Sequence, residues 1–181
     1  DLDTGIEHSL VELEVERRQL GGGTVMFVNW LSLRNPRTQF SALRPQLPGQ
    51  NVPGLGLAKE MAHLLTLMAR RLHLDGVAFR PAWYHMAYAA RHTGRFVDPK
   101  RQGRFLALVR DLRSISLLTA TRLLAEGKVR LNAEPYTWEA DEMVHWLNPP
   151  AIADETAAIA EASDRSHFTI DTSVDMSLHG A

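Results

Sequence analysis

From Ser9 to Arg17 the chain alternates, with Val11, Leu13 and Val15 on one side and Glu12, Glu14 and Glu16 on the other. Period two over this length predicts a half-buried strand. Gly21-Gly22-Gly23 permits a turn. Thr24–Leu33 is β-branched, aromatic and apolar on both faces, and predicts an interior strand. Arg34-Asn35-Pro36-Arg37 is a turn signature, and Thr38–Arg44 reads as a weaker third strand. Two short connections in succession predict an antiparallel meander.

A loop rich in Pro and Gly, Pro45 to Gly56, then runs into a long amphipathic pattern. Leu57, Met61, Leu64, Leu65, Met68 and Leu72 share one helical face, and Lys59, His63, Thr66 and Arg70 the opposite one. Asp75-Gly76 ends that helix, and Val77–Arg80 predicts a short strand. With a helix between them, this strand and the one before it are expected as parallel neighbours joined by a right-handed crossover. A helix over Pro81–Arg91 and a short strand at Arg95–Val97 follow. Asp98-Pro99 supplies an N-cap and a first-turn proline for a helix whose buried stripe is Phe105, Leu108, Val109 and Leu112. A further helix, Leu117–Glu126, closes at Gly127. Lys128–Leu131 and Tyr136–Trp146 read as two strands joined at Asn132–Pro135. An Ala-rich helix, Asp154–Ala162, and a polar tail complete the chain.

The expected fold class is therefore α/β (α+β), a mixed and mostly antiparallel sheet flanked by helices. Only the strands near Ala42 and Val77 are expected to run parallel. Residues 1–147 read as one domain and 148–181 as an acidic C-terminal helix and tail.

With 181 residues, 45% of them hydrophobic, the chain can bury a core without disulfides. It has no cysteine, which excludes thiol catalysis, a cysteine-bound zinc and a disulfide framework. No apolar run approaches the ~18–20 residues that span a bilayer, and the acidic, alternating start is unlike a signal peptide. The expectation is a soluble cytoplasmic protein with no membrane partner. The net charge of −1 hides an asymmetry: residues 23–133 carry seventeen Lys/Arg against five acids, a net +12, between acidic ends of −4 and −9. Such a centre suits an anionic ligand, or is neutralised by the ends folding over it.

Strand, glycine loop, helix, parallel strand is an arrangement that holds anions. Backbone N–H groups and the helix dipole face the ligand at a helix start. Gly54 and Gly56 would let a phosphate approach the main chain without meeting a Cβ.

The segment Gly49 to Asp98, GQNVPGLGLAKEMAHLLTLMARRLHLDGVAFRPAWYHMAYAARHTGRFVD, resembles the GNAT superfamily of acyl-CoA N-acyltransferases. The signature there is an Arg/Gln-x-x-Gly-x-Gly/Ala loop between the fourth strand and a long helix, then a fifth strand. A helix bearing Asn-x-x-Ala-x-x-x-Tyr and a short Gly-Phe strand come next, and the preceding meander matches the second to fourth strands. Here Asn51 stands at the Arg/Gln position and Pro53 removes one amide. With Phe96 on the terminal Phe, Ala87 falls on the expected Ala, Tyr84 on the Asn and Arg91 on the Tyr. Tyr88 lies one helical turn earlier.

The resemblance implies acetyl-CoA or another acyl-CoA as substrate, an amine acceptor and no metal. The pyrophosphate would sit on the amides of Gly54, Leu55, Gly56, Leu57 and Ala58. The pantetheine arm would pair with the strand edge near Ala42, Leu43 and Arg44. Asn51, Tyr84 and Arg91 complete the implied cofactor contacts. Tyr88 or His85 would serve as the proton-transfer residue that acyl transfer to an amine requires. The alternative is a non-catalytic module of the same core that binds a nucleotide or protein partner, which the lack of a base along Phe40-Ser41-Ala42-Leu43 favours.

Other candidates add less. Trp83, Tyr84, His85 and Tyr88 read either as an acid/base and cofactor cluster or as a packed helix. His85 and His92 share a face without an acidic neighbour, a poor metal site. Lys100, Arg101 and Arg104, near Arg95, read as a 3′-phosphate site or a solvated helix start. Ser32, Ser41 and Ser114 lack a nucleophile elbow, and no nucleic-acid-binding motif is present. Tyr136, Trp138 and Trp146 read as a core strand, a self-association edge that would make a homodimer, or an acceptor-pocket wall.

Overall fold

The computed structural model describes residues 8–151 and 154–171. In chain order its elements are β1 (Val11–Leu20), β2 (Gly23–Leu33), α1 (Ala58–Arg71), β3 (Gly76–Phe79), α2 (Tyr84–Ala90), β4 (Arg95–Phe96) and α3 (Pro99–Asp111). These are followed by α4 (Leu117–Ala125), β5 (Val129–Leu131), β6 (Glu134–Tyr136), β7 (Met143–Trp146), α5 (Thr156–Asp164) and β8 (Phe168–Ile170). The class is mixed α/β, a mostly antiparallel sheet with five helices. The chain divides into two compact units, residues 1–80 with 143–152, and 81–142 with 153–181. Residues 148–181 are thus shared between the units. No helix among the described residues is long and apolar enough to cross a membrane.

The first unit is built on the order β1-β2-β3-β7. β1 and β2 form a long antiparallel hairpin, and β2 carries one extra residue, Asn29, where the register shifts between Glu14–Trp30 and Val15–Val28. β2 then runs parallel to β3 over Val25–Val28, and β3 antiparallel to β7. Residues Met26, Leu65, Ala69, Leu74 and Val77 are buried together, with Val15, Val28, Met61, Met68 and Leu147 packed around them. On α1 the contact stripe is therefore Met61, Leu65, Met68 and Ala69, spaced i, i+4, i+7, i+8. It is narrower than the leucine pattern suggested: Leu57, Leu64 and Leu72 are exposed. Asp75 fastens the start of β2, accepting from the Thr24 amide at 2.7 Å and donating its own amide to the Thr24 carbonyl at 2.7 Å.

Two strand assignments need correction in this unit. Thr38–Arg44 is not a strand: its only pairing is an isolated bridge between Ser41 and Arg44, and Leu43 is 95% exposed. Between Pro36 and Pro45 it finds no neighbouring strand to take its backbone groups, so its β-propensity is not realised. Hence β2, not a strand near Ala42, is the parallel neighbour of β3. Nor is Tyr136–Trp146 continuous. It separates into β6 and β7, with irregular chain over 137–142.

In the second unit, β6-β5-β8 form a small antiparallel sheet. Asp98 caps α3 as expected, accepting from the Lys100 amide at 2.9 Å. Gly103 marks the closest approach of α3 and α5. A Cβ there would stand 2.6 Å from the Ala162 Cβ and 2.9 Å from the Ser163 nitrogen, and would strike the Ile159 carbonyl. β8, within the segment expected as a polar tail, pairs with β5.

Candidate functional site

The first unit offers main-chain donors and acceptors. β3 pairs with β2 only as far as Val28, so beyond Asn29 one edge of β2 has no strand partner among the described residues. The direction of that edge follows from three bonds. The Arg34 amide donates to Leu10 on the β1 side at 2.8 Å. The Leu33 carbonyl instead accepts from the Leu55 amide at 3.3 Å, and the Asn35 amide donates to Pro53 at 2.8 Å. Strand residues alternate in direction, so Leu31 presents its N–H and C=O to the same open side as Leu33.

The loop carrying Gly54 and Gly56 is laid against the end of this edge. Gly54 bridges Arg34, and the Leu55 amide is spent on Leu33. Gly56 has φ +78° with open space where a Cβ would stand, a left-handed conformation that costs other residues about 1–2 kcal/mol. It turns the chain into α1, whose N-cap, Leu57, supplies no side-chain cap. Of the five expected donors, Leu55 is therefore occupied. The amides of Gly54, Gly56, Leu57 and Ala58 donate to nothing among the described residues. Lys59 and Glu60 place opposite charges on the first turn. Asn51 is exposed, and Gln50 is tied into its own turn, its side-chain oxygen accepting from the Leu47 amide at 3.2 Å. Leu43 and Arg44, expected on a strand edge, lie instead in the exposed turn at Ser41–Arg44.

The second unit offers side chains. On α2, Tyr84 is buried, its ring 5.7 Å from Tyr88 and 5.7 Å from Trp138. Burial, followed by the neighbouring Tyr88, pushes the Tyr84 phenol far above its ordinary value, so it stays protonated. Burial also lowers His85, whose Nδ1 is enclosed without a partner. Arg91 folds back on its own helix. It donates to the Tyr88 carbonyl at 2.7 Å, with its guanidinium 3.7 Å from the Tyr88 ring centroid. Tyr84 and Tyr88 on α2 and Arg91 at its C-cap thus lie together.

Around them lies an aromatic core of Phe96, Phe105 and Trp138, with Phe96 and Phe105 5.3 Å apart. Arg101 corrects both readings of the basic turn, because it is only 2% exposed. Its Nη1 donates to the Tyr136 hydroxyl at 2.8 Å, and its Nη2 donates to the Glu139 carbonyl. Its guanidinium lies 4.7 Å from the Trp138 ring centroid. It is neither solvated nor open to a phosphate. Tyr136 packs on Phe168 in the small sheet, whereas Trp146 belongs to the first unit. No cluster of metal-ligating side chains exists among the described residues.

No protein-family model matches the chain, and neither a curated protein nor a solved structure matches it significantly.

Proposed function

We propose that the protein transfers an acyl group from a coenzyme A thioester to an amine. One observation carries this reading. β2 and β3 are parallel neighbours joined through a glycine loop and α1, and β2 leaves its edge open just before that loop. An extended pantetheine arm, with its amides, suits the open edge at Leu31 and the Leu33 amide, the Leu33 carbonyl being held by Leu55. The diphosphate suits the unused amides of Gly54, Gly56, Leu57 and Ala58, where the helix dipole adds to hydrogen bonding. The +12 charge of residues 23–133 favours the same anion. Relative to the superfamily pattern, the rail for pantetheine moves from Leu43 and Arg44 to β2.

In the reaction the amine nitrogen attacks the thioester carbonyl carbon, the C–S bond breaks and the ammonium proton leaves. The thiolate takes up a proton. Such a transfer requires an acid for the thiolate and an acceptor for the ammonium proton.

A non-catalytic module that only binds the nucleotide is the second reading. It is favoured by residues 29–33 and 50–58, which contain no carboxylate or imidazole. Incubation with acetyl-CoA and a panel of amines, followed by mass spectrometry of the acylated product, separates the two. Acylated amine with the wild type, lost together with coenzyme A binding in Gly56→Val, is the expected result. Coenzyme A binding without turnover on any amine establishes the module, and absence of binding overturns both.

A further inference from the structure

α1 packs Leu65 and Ala69 against Met26 and Val77 of the sheet, while Leu64 and Leu67 stay 47% and 46% exposed. Glu60 stands one helical turn before Leu64, and Arg71 one turn after Leu67, both exposed. The order Glu60, Leu64, Leu67, Arg71 has spacings of four, three and four residues, which place all four on one seam of the helix. Leu57 at the N-cap and Leu72 at the C-cap are exposed too, and add apolar surface at its two ends. Glu60 and Arg71 are separated by about 16 Å along the axis, too far to pair with each other. Neither side chain has an ion pair or hydrogen bond among the described residues. Elsewhere in the same unit such groups are paired, Glu12 with Arg34 and Glu16 with Arg18.

The seam is complementary to itself. A two-fold axis midway between Leu64 and Leu67 lays a second α1 antiparallel on the first, as in an antiparallel coiled coil. Leu64 then meets Leu67 of the second copy, and Glu60 meets its Arg71, each contact occurring twice. A parallel arrangement would set Glu60 on Glu60 and Arg71 on Arg71, where like charges repel. We infer that α1 is a self-association surface on which a second copy of this chain docks antiparallel. The leucines supply the attraction, and the two Glu60–Arg71 pairs fix the orientation. The helix has 14 residues. At about 21 Å long, it covers less than the roughly 800 Å² per partner of a standard interface, so the dimer is weak, with a Kd of about 100 μM. No main-chain group assigned to coenzyme A takes part, and the surface stands or falls separately from that assignment.

The test is sedimentation equilibrium of the full chain from about 10 μM to about 1 mM at low ionic strength, where charge pairs are least screened. A monomer–dimer equilibrium is expected. Glu60→Arg and Arg71→Glu should each weaken it at least about tenfold, because each sets like charges against one another in both pairs. An equimolar mixture of these two variants rebuilds both pairs between unlike chains. It should associate within about threefold of the wild type, a recovery that misfolded variants would not show. Leu64→Asn should also weaken the dimer at least about tenfold, whereas Leu43→Ser, which removes an exposed leucine from the turn at Ser41–Arg44, should leave it unchanged. A wild type that stays monomeric throughout, charge variants that dimerise as the wild type does, a mixture no tighter than its components, or a dimer lost in Leu43→Ser would each overturn the inference.

Discussion

The two units solve the problem of presenting polar groups in opposite ways. In the first, the groups left for a ligand are backbone atoms: an open strand edge and the unused amides at the start of α1. They exist because β3 stops at Phe79, short of the full length of β2, and because a glycine loop fills only part of the gap. In the second, backbone groups are absorbed into eight helices and strands, and side chains face each other instead, with Tyr84 against Trp138 and Arg101 against both Trp138 and Tyr136. A backbone site tolerates varied side chains but not a blocked main chain. A side-chain site has the reverse sensitivity.

The largest expected effect lies in the second unit. Gly103→Leu forces a side chain into the Ile159 carbonyl, the Ala162 methyl and the Ser163 amide, where α3 and α5 meet with no room for a Cβ. Overpacking of this kind costs about 3 kcal/mol, read as a lowered midpoint in urea denaturation and lost amide protection in both helices. An unchanged midpoint would mean that the helices are not so closely packed.

A smaller effect, confined to binding, is expected in the first unit. Gly56→Val places a branched side chain in the open space outside the loop, where the diphosphate would approach, and should weaken coenzyme A by at least tenfold, about 1.4 kcal/mol. Gly56→Ala carries the same positive-φ strain with little bulk, so it should lose stability but keep most of the affinity. Equal loss of affinity in both variants would assign the effect to strain and not to access.

The smallest effect is a pH dependence. His85 is held below the ordinary imidazole value by burial, so the folded state binds its proton less readily than the unfolded chain does. Its contribution to stability is complete above the ordinary imidazole range and is lost as pH falls toward the depressed folded value. Between about pH 7 and about pH 5, the wild type should therefore lose more Tm than His85→Gln. Identical losses would place the imidazole in contact with water.

Much of this division was legible locally. The alternation over Val11–Val15, the Asp98 cap and the glycine that closes α4 each act within a few residues, and each formed its element, although Val11 and Leu13 stay exposed, so β1 does not bury the face its alternation predicted. What escaped depends on partners distant in sequence. Thr38–Arg44 has strand-like composition but no strand to pair with, and Phe168–Ile170 becomes β8 only because β5 lies beside it. The glycine loop was visible as a candidate. The open edge at Leu31 and Leu33 was not, because it is set by where β3 ends. Arg101 looked like a solvated helix start, and only the tertiary placement of Tyr136 and Glu139 reveals a buried cation bonded to neutral oxygens. Its position three residues into a capped helix gave no local sign of that role.

The central claim is that the first unit binds coenzyme A through its main chain. The most direct test follows backbone amide resonances of uniformly labelled protein during titration with coenzyme A. Saturable shifts at Gly56, Leu57 and Ala58, together with Leu31 and Leu33, are the predicted result. Binding that leaves these amides unmoved, or no binding at millimolar coenzyme A, would contradict it.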